Sequence, residues 1–157
     1  MKFKVPLLVV EDINKSREFY EKVLNQKVIL DFGANITFEG DFSLQSKESW
    51  ADFIKKDASE IVLKSNNFEL YFEEEDFDNY IQKIMNNDLQ FVHGAFEYSW
   101  GQRVIRFYDP DMHIIEVGEA MEKVIERFYK AGFTIEEIVE KTQHPEDYVQ
   151  KVLETPK

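Results

Sequence analysis

An α+β fold, in which two β-α-β-β-β modules form curved mixed sheets around a cleft and a small helical extension follows, is predicted by three observations in this 157-residue chain. The sequence repeats its own pattern at an offset of 64 residues (12 to 76, 26 to 90, 28 to 92), aligning Asp12-Ile13 with Asp76-Phe77, Gln26 with Gln90 and Val28 with Val92. The stretch Trp100 to Val117, WGQRVIRFYDPDMHIIEV, places a strand, a tight acidic turn and a second strand that holds one carboxylate, Glu116. After Gly118 the strand-forming runs stop and helical periodicity takes over.

The first strand is the apolar run Val5 to Val10, and Asp12 is placed to cap the helix after it. That helix carries Ile13, Phe19, Tyr20, Val23 and Leu24 at helical spacing. Strands are predicted near Lys27 to Phe32, at Asn35 to Glu39 and at Phe42 to Gln45. Ser49 to Lys55, with Trp50, Phe53 and Ile54, interrupts the repeat as a short amphipathic helix, either a packed connector or a lid over the cleft. The second copy opens with Phe68 to Phe72. The acidic run Glu73 to Asp78 then reads as a strand-to-helix junction, because it lacks the spacing and central glycine of a calcium loop. Phe77, Tyr80, Ile81, Ile84 and Met85 mark the helix, and strands follow at Leu89 to Val92, Val104 to Tyr108 and Ile114 to Val117.

Between the last two strands, Pro110 fixes φ and lacks an N–H, while Asp109 and Asp111 can bond their own backbone, so the chain must turn. Alternation puts Ile115 and Val117 on one face and Ile114 and Glu116 on the other. A carboxylate at such a position needs a partner, a metal or a solvated cleft. By the same alternation Glu69, Tyr71 and Glu73 oppose the apolar Phe68, Leu70 and Phe72, and Arg106 and Tyr108 turn toward the cleft while Phe107 joins the core. In the turn WGQR, Gly101 lets the chain bend; Trp100 and Arg103 either line the cleft mouth or pack a hairpin corner.

The modules span about 1–46 and 66–119, and the extension spans 120–157. Its first helix carries Met121, Val124, Ile125, Phe128 and Tyr129 and ends at Gly132. Thr134 with Glu137 forms a capping box for a second helix, and Pro145 opens a third with Tyr148, Val149, Val152 and Leu153. These helices resemble a helix-turn-helix unit. With eight acidic and six basic residues, however, the extension lacks the basic footprint of a DNA reader and reads as a packing or dimer element.

A chain of this length buries about 68–70% of its unfolded surface without staples. The absence of cysteine excludes disulfides, thiolate metal sites and cysteine nucleophiles, and suits a reducing compartment. A net charge of −12 opposes nucleic acid as a partner. The N-terminal apolar run is too short for a signal peptide and nothing approaches a membrane span, so a cytoplasmic location is expected.

The doubled pattern, the opening VVEDINKSREFYEKVL and the closing WGQRVIRFYDPDMHIIEV together resemble the vicinal-oxygen-chelate superfamily over about residues 1–119. That superfamily includes glyoxalase I, bleomycin- and fosfomycin-resistance proteins and extradiol dioxygenases. The resemblance implies a cleft that, in metal-dependent members, holds a divalent cation through one residue of each module's first strand, often histidine, and a Glu or Gln from later strands. Carried over by position, these sites fall on Val5, Glu69, Glu116 and, near the remaining one, Gln45. Val5 cannot ligate. Glu69, Glu116 and Gln45 form an oxygen-only set suited to Mg²⁺ or Mn²⁺ more than to Zn²⁺ or Ni²⁺. His93, His113 and His144 stand elsewhere, His93 at a strand end. The residue ten before the final glutamate, which contacts substrate in the fosfomycin-resistance branch, is Arg106; it can instead simply neutralise Glu69 or Glu116, which would leave no metal.

Three functions follow as expectations. One is a metal-independent small-molecule binder with an aromatic cleft of Trp50, Tyr71, Trp100 and Tyr108, suited by its acidity to a planar cation. Another is a glyoxalase-type metal-dependent lyase or isomerase, with Glu116 or Glu69 as base and the other as ligand. The last is a regulatory module reporting ligand through the C-terminal helices. The resemblance also implies a homodimer.

Overall fold

Each copy of the repeat folds into a four-stranded mixed sheet in the computed structural model, which describes residues 1–154; positions 155–157, the end of the extension, lie outside the described residues. In the first sheet β1 (Leu7–Val10), β2 (Val28–Asp31), β3 (Asn35–Phe38) and β4 (Ser43–Ser46) lie in the order β1-β4-β3-β2. In the second, β5 (Glu69–Glu74), β6 (Phe91–Glu97), β7 (Arg103–Tyr108) and β8 (Ile114–Glu119) lie in the order β5-β8-β7-β6. The orders correspond strand for strand, so a repeat of few identities in sequence is complete in topology. β1 and β4 pair in parallel, which the intervening helix α1 (Ile13–Lys22) and two strands permit; β2–β3 and β3–β4 are antiparallel.

The chain divides into two compact units, Met1–Phe68 with Tyr108–Ile114 and Glu69–Phe107 with Ile115–Lys157. In the first, α1 starts where Asp12 leaves the extended region and its carboxylate accepts the N–H groups of Asn14 (2.9 Å) and Lys15 (3.1 Å). The helix buries Tyr20 against Phe38 and Phe42 at ring separations of 5.5 and 5.2 Å. Each ring so buried contributes about 1.5–3 kcal/mol. The acidic turn belongs to this unit and is not a solvated hairpin. Asp109 and Asp111 are 3% and 5% exposed. Asp111 accepts from Ser16 Oγ and the Glu11 N–H, both at 2.8 Å, while Asp109 accepts from Tyr20 Oη at 2.9 Å and from the His113 backbone N–H at 2.8 Å. The His113 ring meets the same Asp109 carboxylate at 2.8 Å. Burial, then the neighbouring Asp109 charge, pushes the Tyr20 phenol well above its ordinary value. Helix α2 (Lys47–Ile54) follows β4 and stops at Lys55, which takes a left-handed conformation with φ 59°.

In the second unit α3 (Phe77–Ile84) follows β5 through the acidic junction. The strand predicted at Leu89 to Val92 instead spans Phe91–Glu97, with register shifts between Phe91 and His93 and between His93 and Phe96. Such bulges break the alternation on which a strand is recognised in sequence. The extension forms α4 (Met121–Lys130), α5 (Ile135–Thr142) and α6 (Glu146–Glu154), which share an apolar cluster of Met121, Val124, Ile125, Phe128, Ile138 and Val149. Thr134 and Glu137 make both hydrogen bonds of the capping box, at 3.2 and 2.8 Å. Among the described residues no helix is long and apolar enough to cross a membrane.

Candidate functional site

The order β5-β8-β7-β6 sets Glu69, Glu116, Arg106 and His93 across one face of the second sheet, one from each strand. Arg106 is the hub. Its Nε donates to Glu69 Oε2 at 3.1 Å, its Nη2 is ion-paired with Glu116 Oε2, and its Nη1 donates to Tyr98 Oη at 2.6 Å. Nη1 also lies 3.3 Å from His93 Nε2. An Nδ1–H tautomer fits both His93 contacts, donating to Gly94 O at 2.8 Å and accepting at Nε2. The Glu116 side chain is 10% exposed and that of Glu69 43%, so the first is a buried charge matched by Arg106 and the second a rim charge. Burial alone would lower the Arg106 pKa; the hydrogen bonds to Tyr98 and Glu69 outweigh it and the net direction is upward. Two carboxylates and one guanidinium leave the cluster with one formal negative charge.

An aromatic ladder borders the cluster. Ring separations are 4.8 Å for His93–Phe96, 4.6 Å for Phe96–Tyr98 and 4.2 Å for Tyr98–Trp100, the last pair nearly parallel at 7°. Reasoning from sequence missed Tyr98 and Phe96. The signal is present in the alternation Phe96, Tyr98, Trp100, but it lies beyond the strand predicted at Leu89 to Val92.

The remaining predicted residues are engaged in other ways. Tyr71 Oη donates to Glu73 at 2.7 Å and accepts from Gln102 Nε2 at 2.7 Å; burial and then the Glu73 contact push its pKa up to about 12. Arg103 does not join Arg106. It shares the Ile105 and Phe107 face of β7, binds Glu119 at 2.9–3.0 Å and Asp78 at 2.7 Å, and lies over the Phe77 ring. Tyr108 Oη donates to Asn66 Oδ1 at 2.8 Å within the first unit. Trp50 is half-buried on α2 and Gln45 buried on β4, both in the first unit.

The glyoxalase-like domain family matches residues 3–122. The chain belongs to that family. A protein of unknown function from Agrobacterium tumefaciens str. C58 is 38% identical, with a TM-score of 0.69 over 76% of this chain and 94% of that chain. The chain is similar in fold to a glyoxalase/bleomycin resistance protein/dioxygenase family enzyme from Burkholderia phytofirmans PsJN (13% identity, TM-score 0.64, 74% of this chain and 96% of that chain). It is likewise similar to a lactoylglutathione lyase from Agrobacterium tumefaciens (18%, 0.59, 76% and 94%). These matches place the fold in the vicinal-oxygen-chelate superfamily. No protein of curated function matches the chain.

The residues of this glyoxalase-like chain do not fit the divalent cation that metal-dependent superfamily members hold. Val5 offers no donor, and Glu69 and Glu116 are both bound to Arg106. The Gln45 amide is spent on Asn35, Ala34 O and Ser49. Among the described residues no group of three or more His, Cys, Asp or Glu side chains could hold a metal ion. A cation at Glu116 would have to displace the half-buried Arg106 guanidinium from a buried carboxylate, and such a step separates charges at a cost of several kcal/mol.

Proposed function

We propose that this chain is a binder of small, flat, cationic molecules, and that the Arg106 face of its second sheet, with the aromatic ladder beside it, is the binding surface. The observation that carries this is Arg106: it already fills the carboxylates on which a metal would rest, while the ladder of His93, Phe96, Tyr98 and Trp100 stays beside it. Aromatic faces attract cations, and a chain charge of −12 raises the local concentration of positive ligands. Glu69, half exposed at the rim, supplies a carboxylate for the ligand's charge.

Proflavine, a planar tricyclic cation, is a suitable probe. Isothermal titration calorimetry is expected to give one site per chain, and at a hundredfold excess over Kd the ligand adds about 2.7 kcal/mol of stability, seen as a higher melting temperature. Tyr98→Leu is expected to weaken binding. Absence of heat and an unmoved melting temperature overturn the reading. Dialysis against Mg²⁺, Mn²⁺, Ni²⁺, Zn²⁺ and Fe²⁺ followed by elemental analysis tests the other side: stoichiometric metal that is lost in Glu116→Gln replaces the binder with the metal-dependent lyase.

A further inference from the structure

The turn between β6 and β7 carries the end of the aromatic ladder, and it is gripped from outside the sheet. Tyr98 to Gln102 closes on itself through Gly101 N–H to Tyr98 O (2.8 Å) and Tyr98 N–H to Gln102 O (2.9 Å), with Gly101 at φ +88°. Gly101 also lies flat on α4: a Cβ there would sit 2.3 Å from two atoms of the Phe128 ring. Arg127 Nη2 donates to Gly101 O at 2.5 Å and to Glu119 at 3.1 Å, and Arg127 Nη1 meets Glu97 at 3.1 Å. Lys141 of α5 reaches Ser99 O at 3.4 Å. On the other side of the turn Gln102 joins Trp100 Nε1 (3.3 Å) to the Glu119 carbonyl (2.9 Å).

We propose that Arg127 and Phe128 of the helical extension are positioning residues for the second-sheet site: by clamping the turn at Gly101 they set the Trp100–Tyr98 stack, and Tyr98 in turn sets Arg106. Every link lies within the second unit and within contact distance. The extension cores itself through Val124, Ile125, Ile138 and Val149, so a polar fork from Arg127 to three separate acceptors on β6, β8 and the β6–β7 turn is not needed to fold it. The fork fixes position. A five-residue turn with one glycine at positive φ has several accessible conformations, and the Arg127 bonds together with the Phe128 face select one. The functional consequence rests on the binder reading above, whereas the structural coupling does not.

The test uses the full chain with Trp50→Phe, which leaves Trp100 as the only tryptophan. Arg127→Leu is expected to red-shift Trp100 emission, to raise its quenching by acrylamide and to weaken proflavine about tenfold, a magnitude typical of coupling between linked sites. Arg127→Lys, which keeps the charge and can still reach one acceptor, is expected to fall between it and the parent, and it decides the matter if the leucine variant does not fold. Val149→Ala is the control: it weakens the extension's core and lowers the urea midpoint but leaves Trp100 and proflavine affinity in place. Unchanged Trp100 emission and quenching in the Arg127 variants overturn the proposal, as does an equal change in Val149→Ala. If proflavine fails to bind even the parent, the binder reading falls while the Trp100 comparison still decides the clamp.

Discussion

Replacing Arg106 with methionine removes the counter-charge from Glu116 while keeping most of the aliphatic stem. The Glu116 side chain is 10% exposed and that of Arg106 20%, so solvent cannot take over the role of the guanidinium. Leaving a buried charge without its partner costs about 3–5 kcal/mol. For a chain of this size each kcal/mol moves Tm by about 2–4 °C, giving a fall of about 6–20 °C. Glu69→Gln cuts the other arm of the same guanidinium, but Glu69 is 43% exposed, and that loss stays below about 1 kcal/mol. The assay is urea unfolding of Arg106→Met, Glu116→Gln and the double variant. Once Glu116 is neutral the methionine no longer strands a charge, so the cycle should show a coupling of about 1–3 kcal/mol. Single costs that simply add, or an Arg106→Met variant as stable as the parent, refute the idea that Arg106 exists to hold Glu116.

Two other perturbations test the frame around the site. The Asp109 hydrogen bond and the Asp109 and Asp111 charges outweigh burial and raise the His113 pKa above its ordinary 6.5, so this contact contributes stability in full below that pH and loses it as pH rises through the folded-state value. Urea midpoints across pH 6–9 are expected to fall more steeply in the parent than in His113→Gln, and parallel profiles would count against the contact. Thr134→Ala removes one half of the α5 capping box and is expected to cost about 1 kcal/mol, with faster amide exchange in the first turn of α5 and little change at β7.

Asp12, Thr134 and Gly132 were legible because caps and helix stops are local: the residue that satisfies the orphan N–H groups lies within three positions of them. The Arg106 and Phe107 faces of β7 were legible because alternation needs no knowledge of the neighbouring strands. Phe96 and Tyr98 were not, and His93 was legible only as the end of a strand. Two bulges in β6 shift which side chains meet β7, and bulge position depends on cross-strand pairing, from Phe91 with Phe107 to Glu97 with Arg103, rather than on any nearby signal. The placement of Arg103 was open for a related reason, since only the packing of α3 and the pairing with Glu119 at the end of β8 show where its guanidinium goes.

Composition and patterning by themselves determined a doubled βαβββ chain with a helical extension, no thiol chemistry, an acidic field and a glutamate in an apolar strand. Which side chain lies against that glutamate was decided only by the tertiary structure. Glu69, Arg106 and Glu116 are separated by 37 and 10 residues in the chain (69 to 106, 106 to 116), and their charges meet only once β5, β8 and β7 take their order in one sheet. The same holds for Arg127 on Gly101, a contact of 26 residues' separation that depends on α4 packing against the turn. Local steric and capping preferences act along the chain and can be read from it; electrostatic pairing acts through space, and its partners are named by the fold.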